Sequence, residues 1–247
     1  MAFLIAVLLM ASTAQASSGA TVADRIPVLV ELFTSEGCSS CPPADAALAR
    51  LLEEQPVPNA RIIALGEHVD YWDDLGWRDP FSAPVFSERQ EVYARRLGVS
   101  APYTPQLIVG GRFQVLGNDL AGARAAVTAA SSSPEGSIAI RVGSRSNAQV
   151  SLDVEAHWRP GVDADVVLAA VEDHATSTVT GGENAGRTLT HVAIVKSLNV
   201  VGTATGAFSG RATLERLQPL RASRVIAFVQ EHGGGRVYAV ESVALTR

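Results

Sequence analysis

The chain has 247 residues, of which 47% are hydrophobic, and it carries a formal net charge of −5 at pH 7. This composition is typical of a globular chain with one large domain or two modest ones. The mild negative charge argues against nucleic acid as a partner.

The N-terminal residues have the pattern of a secretory signal peptide. The apolar run Phe3–Met10 is followed by the small-x-small sequence Ala14–Ala16, which is typical of a cleavage site. The run is too short to span a bilayer stably, and no later segment looks transmembrane. We expect a signal peptide over residues 1–16 and a periplasmic or secreted mature protein without a stable membrane span. Such a compartment is oxidising, so a disulfide persists there.

Predicted strands and helices alternate from Pro27 to about Ala130. Apolar, β-branched runs indicate strands, and amphipathic runs indicate helices. Their alternation predicts an α/β layer with at least one parallel strand pair. The predicted strands are Val28–Phe33, Arg61–Leu65, Gln106–Val109 and Phe113–Val115, and the predicted helices are Asp45–Glu54, Ser87–Leu97 and Leu120–Ala130.

The only two cysteines, Cys38 and Cys41, lie between the first predicted strand and the first predicted helix. The free N–H groups and the positive dipole end of a helix N-terminus stabilise a thiolate. Two cysteines cannot form a four-cysteine zinc site, and a bridge that closes so short a loop stabilises a fold only weakly. The pair therefore predicts redox chemistry, with Cys38 as the exposed attacking thiol and Cys41 as the resolving thiol. The alternative is a passive surface disulfide.

A break at Ser131–Gly136 separates this segment from one in which the hydrophobic period is two. Short strands without a convincing helix predict a β-sandwich of about 100 residues that packs against the first segment. We therefore predict an α/β domain over residues 24–130 and an all-β sandwich-like domain over residues 137–247. The predicted strands are Ile138–Val142, Val150–Val154, Val166–Val171, Val192–Val201, Ala212–Leu217, Val225–Val229 and Val237–Val243.

Thr104 and Pro105 directly precede the third predicted strand. A strand, Cys-x-x-Cys-Pro at a helix start, a second strand and then Thr-Pro before a hairpin together resemble the thioredoxin fold over roughly residues 27–130. The resemblance implies a thioredoxin-like domain in which Pro105 is cis and packs against the cysteine pair. It also implies that Thr104 offers backbone groups to an extended substrate.

An insert at Gly66–Phe81, rich in aromatic and ionisable side chains, separates the second and third predicted strands. Together with Glu31–Cys38, Arg89-Gln90 and Gly182–Arg187, it resembles a bacterial family of exported thioredoxin-like proteins of unknown function. This second resemblance spans nearly the whole chain after the signal peptide. It implies the same two-part layout and adds no known activity.

The insert contains candidate site residues. His68 follows a strand expected to end near the cysteine pair, so it is a candidate to exchange a proton with Cys41. Asp70 is a candidate to orient the imidazole of His68. Trp72 and Trp77 are candidates for an apolar platform that binds a substrate segment. The alternative is that these side chains only hold a long loop in place.

Two further segments carry polar side chains whose role the sequence alone does not decide. Glu31 lies in a buried-looking strand, where a carboxylate needs a partner, so it either assists proton transfer at the cysteine pair or pairs with an arginine. Gly181–Arg187 is glycine-rich but lacks the strand–helix context of a phosphate-binding loop. It predicts a hairpin loop whose Glu183, Asn184 and Arg187 reach the first segment.

The preferred function is an exported thiol–disulfide oxidoreductase that needs no cofactor and no metal. Its substrate is a protein or a small thiol or disulfide, and a redox partner protein is expected. The first alternative is copper(I) binding by Cys38, Cys41 and His68, which a two-residue spacing favours less than redox chemistry. The second is a non-enzymatic module in which the β-domain binds a partner.

Overall fold

The computed structural model describes residues 25–132, 134–146, 148–215 and 221–245. The predicted signal peptide at residues 1–16 lies outside these ranges, as does Leu217 at the end of one predicted strand. Within the described ranges, no helix combines the length and apolar character needed to cross a membrane.

The first segment has four strands and three α-helices in its described part, and all of them were predicted. The helix ends follow from local sequence, because Pro42 begins the first helix, Gly98 ends the second with a left-handed φ of 68°, and Asp119 caps the third. The elements are β1 (Ile26–Thr34), α1 (Pro42–Glu54), β2 (Ala60–His68), α2 (Pro84–Leu97), β3 (Gln106–Val109), β4 (Phe113–Leu116) and α3 (Leu120–Ala130).

The described part of the second segment consists of seven strands and one short 3-10 helix, Gly182–Asn184. Every one of the predicted strands is confirmed by an observed strand. Two of them, β7 and β8, are much longer than predicted, with 16 and 18 residues. The strands are β5 (Gly136–Arg145), β6 (Gln149–Trp158), β7 (Asp163–Thr178), β8 (Thr188–Thr205), β9 (Ala207–Glu215), β10 (Arg224–Glu231) and β11 (Val237–Ala244).

Eight strands form one mixed sheet in the order β11-β10-β7-β8-β2-β1-β3-β4. Strands β1 and β2 are parallel along their whole length, which confirms the predicted parallel pair. Strand β3 runs antiparallel to β1 on its other side. The strands β5, β6 and β9 form a separate antiparallel sheet.

The two segments join where Gly66 of β2 pairs in parallel with Ile194 of β8. The strands approach so closely that a Cβ atom on Gly66 would lie 2.9 Å from the carbonyl oxygen of Val192. Ala193, in the same part of β8, has a left-handed φ of 53°, which is uncommon for a residue other than glycine. A glycine at position 66 therefore allows the large sheet to continue from one segment into the other.

Strands β7 and β10 form part of two hydrophobic cores. Val167 and Phe228 pack in the core that includes α1, β1 and β2. Their strand neighbours Val166 and Ala227 pack in the core beneath the three-stranded sheet. Because consecutive side chains of a strand point to opposite faces, the same two strands separate and support both cores.

The predicted fold class, a thioredoxin-like α/β domain followed by an all-β sandwich-like domain, is wrong. The protein is mostly β, with 49% of the described residues in strands and 19% in helices, and its mixed eight-stranded sheet takes strands from both segments. Hydrophobic period identifies strands but does not reveal which distant strands pair. The division into domains at residues 24–130 and 137–247 stays a prediction.

Candidate functional site

Cys38 and Cys41 form a disulfide at the start of α1, with their Cα atoms 5.4 Å apart. Cys41 is the N-cap residue, and its carbonyl oxygen accepts hydrogen bonds from the N–H groups of Ala44 and Asp45 at 2.8 and 3.1 Å. The N–H of Cys41 in turn donates to the carbonyl oxygen of Cys38 at 3.1 Å. The pair therefore lies at the positive end of the α1 dipole.

Both cysteines are fully buried, with 0% exposure, so the prediction of an exposed Cys38 is wrong. The exposed part of the turn is formed by Ser39 and Ser40. The hydroxyl of Ser40 lies 3.3 Å from Sγ of Cys38. The cysteines are buried because segments from distant parts of the chain pack on the turn. The local sequence around the cysteines therefore does not predict the burial.

The loop after β2 packs against one side of the cysteine turn. The Cβ atom of Trp72 lies so close to Gly37 that a Cβ added to this glycine would be 3.0 Å from it. The indole N–H of Trp72 donates a hydrogen bond to Oγ1 of Thr104 at 2.9 Å. Trp72 thus connects the residue before Cys38 to the residue before Pro105.

Pro105 lies beside the first turn of α1. The peptide bond between Thr104 and Pro105 is cis, which confirms the geometry that the resemblance implied. A Cβ atom on Gly117 would be 2.7 Å from Cβ of Pro105 and 2.9 Å from Cβ of Ala44, which is three residues after Cys41. The side chains of Pro105 and Ala44 therefore both lie against Gly117, close to the start of α1.

The connection between β7 and β8 holds the backbone of the cysteine turn. The side-chain amide of the fully buried Asn184 donates to the carbonyl oxygens of Glu36 and Cys38 at 2.8 and 3.0 Å. The N–H of Ser39 donates to Oε2 of Glu183 at 2.9 Å. The prediction that this segment reaches the first segment is confirmed for Glu183 and Asn184, whereas Arg187 donates a hydrogen bond to Asn184 within the same loop.

His68 is buried, and its Nδ1 lies 2.7 Å from Oδ2 of Asp79. Asp79 also accepts a hydrogen bond from the N–H of Glu36 at 2.8 Å. Burial opposes the charge of Asp79, but His68 and these hydrogen bonds lower its pKa. The prediction that Asp70 orients His68 is wrong, because Asp70 accepts a hydrogen bond from Ser87 at the start of α2. The role of His68 in proton transfer stays a prediction.

His191 on β8 is a site residue that the sequence analysis did not assign. Its Nε2 lies 3.1 Å from Oε1 of Glu36, and its Nδ1 lies 3.7 Å from Oδ1 of Asp45. Burial opposes a charge on this imidazole, but the neighbouring carboxylates of Asp45 and Glu36 raise its pKa to about 9. Its ring centroid is 4.7 Å from that of His68. An isolated histidine far from the cysteines has no spacing signal, so sequence reasoning had no means to find it.

The two tryptophans proposed for substrate binding are half-buried. The indole N–H of Trp77 donates to Oε2 of Glu36 at 2.8 Å, so this side chain also braces the cysteine turn. Exposed apolar surface on the same loop comes from Tyr71 and Leu75, which are 43% and 62% exposed. The substrate-binding role of Trp72 and Trp77 stays a prediction.

Glu31 lies on the other face of the sheet and pairs with an arginine, which was one of its two predicted roles. Its Oε1 lies 2.5 Å from Nη2 of Arg89, and its Oε2 accepts a hydrogen bond from Tyr93 at 2.6 Å. Gln230 on β10 donates to the same hydroxyl at 2.8 Å. Burial raises the pKa of the neighbouring Glu67 well above its usual range. This cluster ties α2 to both halves of the sheet.

The described residues contain no group of three or more His, Cys, Asp or Glu side chains arranged to hold a metal ion. His68, the third ligand in the copper(I) alternative, is hydrogen-bonded to Asp79. The arrangement therefore gives that alternative no support.

These features define a mostly β protein with a buried Cys-x-x-Cys disulfide at a helix start, braced by side chains from the second segment. The chain belongs to the family described as "Protein of unknown function (DUF1223)", which it matches over residues 29–230. No curated protein matches it.

Among solved structures, the crystal structure of a protein from Agrobacterium tumefaciens resembles this chain with a TM-score of 0.71 and 26% sequence identity. The similarity covers 90% of this chain and 97% of that one, so the overall fold is shared. Two structures of a β-glucosidase from Kluyveromyces marxianus have TM-scores of 0.22 and 0.23 and identities of 9% and 8%. The matched regions cover 45% and 64% of this chain and 14% and 16% of the β-glucosidase chains. We base no conclusion on these two matches.

Proposed function

We propose that the protein is an exported thiol–disulfide oxidoreductase that works through Cys38 and Cys41. One observation carries the proposal, namely that the only two cysteines form a disulfide at the N-terminal end of α1. A bridge across so short a loop contributes little to stability, whereas a helix N-terminus favours the thiolate that exchange requires. The chemistry is that of thioredoxin-like Cys-x-x-Cys proteins and does not depend on sharing their fold.

The reaction is an exchange between the cysteine pair and a substrate dithiol. A substrate thiolate attacks Sγ of Cys38, the Cys38–Cys41 bond breaks, and Cys41 leaves as a thiolate that takes up a proton. The second substrate thiol loses its proton and attacks the substrate sulfur of the mixed disulfide, which releases Cys38. Two electrons pass from the substrate to the pair, and the reverse sequence reduces a substrate disulfide.

The burial of both sulfurs means that a substrate reaches Cys38 only after local opening. The exposed Ser39 and Ser40 form the tip of the turn, and Trp72 packs beside it. The proposal assigns substrate contacts to Thr104, Trp72 and Trp77. The exposed apolar side chains on the same loop support this assignment, because they offer surface to a protein substrate.

The second candidate is a non-enzymatic binding module in which the disulfide is only structural. Complete burial of both cysteines favours this candidate, because disulfides that exchange readily are accessible to an attacking thiolate. The two candidates differ in whether the sulfurs of the folded protein react.

The experiment compares Cys41→Ser with the matched variant Cys38→Ser in the chain from residue 17 onwards. Each folded variant is incubated with a small peptide disulfide, and mass spectrometry follows the adduct. The proposal predicts that Cys41→Ser accumulates a mixed disulfide at Cys38 and that Cys38→Ser reacts much more slowly. If neither folded variant forms an adduct, the pair is not a redox centre.

A further inference from the structure

One imidazole bridges the two ends of the cysteine turn. His191 lies 3.1 Å from the carboxylate of Glu36 and 3.7 Å from the carboxylate of Asp45. Glu36 comes two residues before Cys38, and Asp45 comes four residues after Cys41. His191 itself belongs to β8, in the other segment of the chain. A single side chain therefore links both flanks of the disulfide to the second segment.

We propose that His191 is a positioning residue for the cysteine pair, which holds the two flanks of the turn together and supplies the positive charge that balances the carboxylates beside it. The inference rests on the proposed exchange function of Cys38 and Cys41. On this proposal, a residue of the second segment directly affects the redox properties of the cysteine pair in the first segment.

His191 is enclosed by other side chains. The imidazole is 2% exposed, and the rings of His68 on β2 and of Phe81 in the loop after β2 pack edge-to-face against it. These two rings, with centroids 4.7 and 5.6 Å from that of the imidazole, restrict its rotation. The charged or titratable groups that face it or lie next in the cluster are Glu36, Asp45, His68, Asp79 and Lys196, the last over the ring of Phe81.

The net charge of this cluster affects how stable a thiolate is at the cysteine pair. The pKa of about 9 keeps His191 cationic at neutral pH, where it offsets one of the two carboxylates. Removing the imidazole leaves both carboxylates uncompensated, whereas removing the carboxylate of Asp45 leaves a balanced pair. Buried charges are poorly screened by salt. A more negative cluster disfavours a thiolate, so it favours the disulfide, and a less negative cluster has the opposite effect.

The test is a redox titration of the folded protein in glutathione buffers at pH 8. For His191→Gln we expect the equilibrium constant for reduction of the pair to fall about tenfold, which corresponds to about 30 mV for a two-electron couple. For Asp45→Asn we expect a shift of opposite sign. The alkylation rate of Cys38 against pH should show a higher thiol pKa in His191→Gln.

The matched control is His232→Gln, because His232 also pairs with a carboxylate, that of Asp165 at 2.9 Å, but is exposed and outside this cluster. Its equilibrium constant should equal that of the wild type. If His191→Gln leaves the constant unchanged, or shifts it in the same direction as Asp45→Asn, the inference is overturned while the exchange function stands.

Two further outcomes also decide the matter. If the wild-type pair is not reduced reversibly in the folded protein, the exchange function fails and the inference fails with it. If His191→Gln does not fold, Asp45→Asn carries the test alone. An unchanged equilibrium constant in Asp45→Asn then overturns the inference, and an easier reduction supports it.

Discussion

At the scale of single residues, Asn184 holds the cysteine turn through two hydrogen bonds from the second segment. Its amide donates to the carbonyl oxygens of Glu36 and Cys38, and its own carbonyl oxygen accepts from Arg187 at 2.8 Å. The side chain is fully buried. A buried polar group left without a partner costs about 1–3 kcal/mol, so these hydrogen bonds contribute to stability chiefly because water cannot replace them.

We expect Asn184→Ala to lower the free energy of unfolding by about 2 kcal/mol, because the carbonyl oxygen of Glu36 loses its side-chain donor and that of Cys38 keeps only the N–H of Cys41. Urea denaturation of the oxidised protein measures the loss. The control is Asn199→Ala, at an exposed position of β8, where a change within about 0.5 kcal/mol is expected. Equal losses in the two variants would contradict the assigned role of Asn184.

The charge of His191 gives a second prediction at this scale. Its folded-state pKa of about 9 lies above its ordinary value of 6.5. A group with a raised pKa contributes stability that is fully present below the unfolded pKa and is lost as the pH rises through the folded pKa. Between pH 6.5 and 9 we therefore expect the wild type to lose unfolding free energy on the order of 3 kcal/mol through this group. His191→Gln should lack that loss, and identical pH profiles would contradict the account.

Sequence reasoning found the site residues that carry a local pattern. Cys38 and Cys41 have a two-residue spacing next to a helix start, and Thr104-Pro105 precedes a strand. It did not find the partners that tertiary structure supplies. Asp79 rather than Asp70 holds His68, and Glu36 and His191 meet only because β2 and β8 pair.

At the scale of secondary structure, the pairing of β2 with β8 sets the position of His191. Gly66 is the point of contact, and a side chain there would press on the carbonyl oxygen of Val192, the residue after His191. The elements themselves follow well from hydrophobic period, capping residues and breaks. The pairing of the strands cannot be predicted in the same way. A single parallel contact between distant strands does not change the hydrophobic period of either strand.

We expect Gly66→Ala to destabilise the protein by about 1–3 kcal/mol, because the added methyl group cannot be accommodated without moving β8. The same shift should separate His191 from Glu36 and reduce the pH dependence of stability described above. Urea denaturation at pH 6.5 and at pH 9 tests both effects. The control is Ala125→Ser, which adds one atom at an exposed position of α3. A Gly66→Ala protein as stable as this control would show that the strands separate without cost.

At the scale of the whole molecule, two cores share the strands β7 and β10. One core lies against α1 and the parallel strands, and the other lies beneath the three-stranded sheet. This arrangement explains why the predicted fold class was wrong, because a segment that reads as a separate β-unit contributes half of a sheet to its neighbour. Because β7 and β10 are buried on both faces, the two cores are coupled. If either strand leaves one core, it exposes the apolar side chains of the other core to water.

We expect a single cooperative unfolding transition as a result. Leu48→Ala in the first core and Leu152→Ala in the second should each cost about 2–5 kcal/mol, and each should shift the whole transition. Thermal unfolding followed by far-ultraviolet circular dichroism and by tryptophan fluorescence measures this, with Trp72 and Trp77 in the first segment and Trp158 in the second. Two separate transitions, or a variant that shifts only one signal, would contradict the coupling.

On the function proposed above, Cys38 and Cys41 are a working redox pair inside a folded protein. The most direct measurement raises the concentration of a dithiol reductant and follows two signals in the same samples. Alkylation with mass spectrometry counts free thiols, and near-ultraviolet circular dichroism reports the native packing. We expect both thiols to appear while the native spectrum persists, and reoxidation to restore the bridge. Thiols that appear only when the native spectrum is lost would contradict this proposal and identify the disulfide as purely structural.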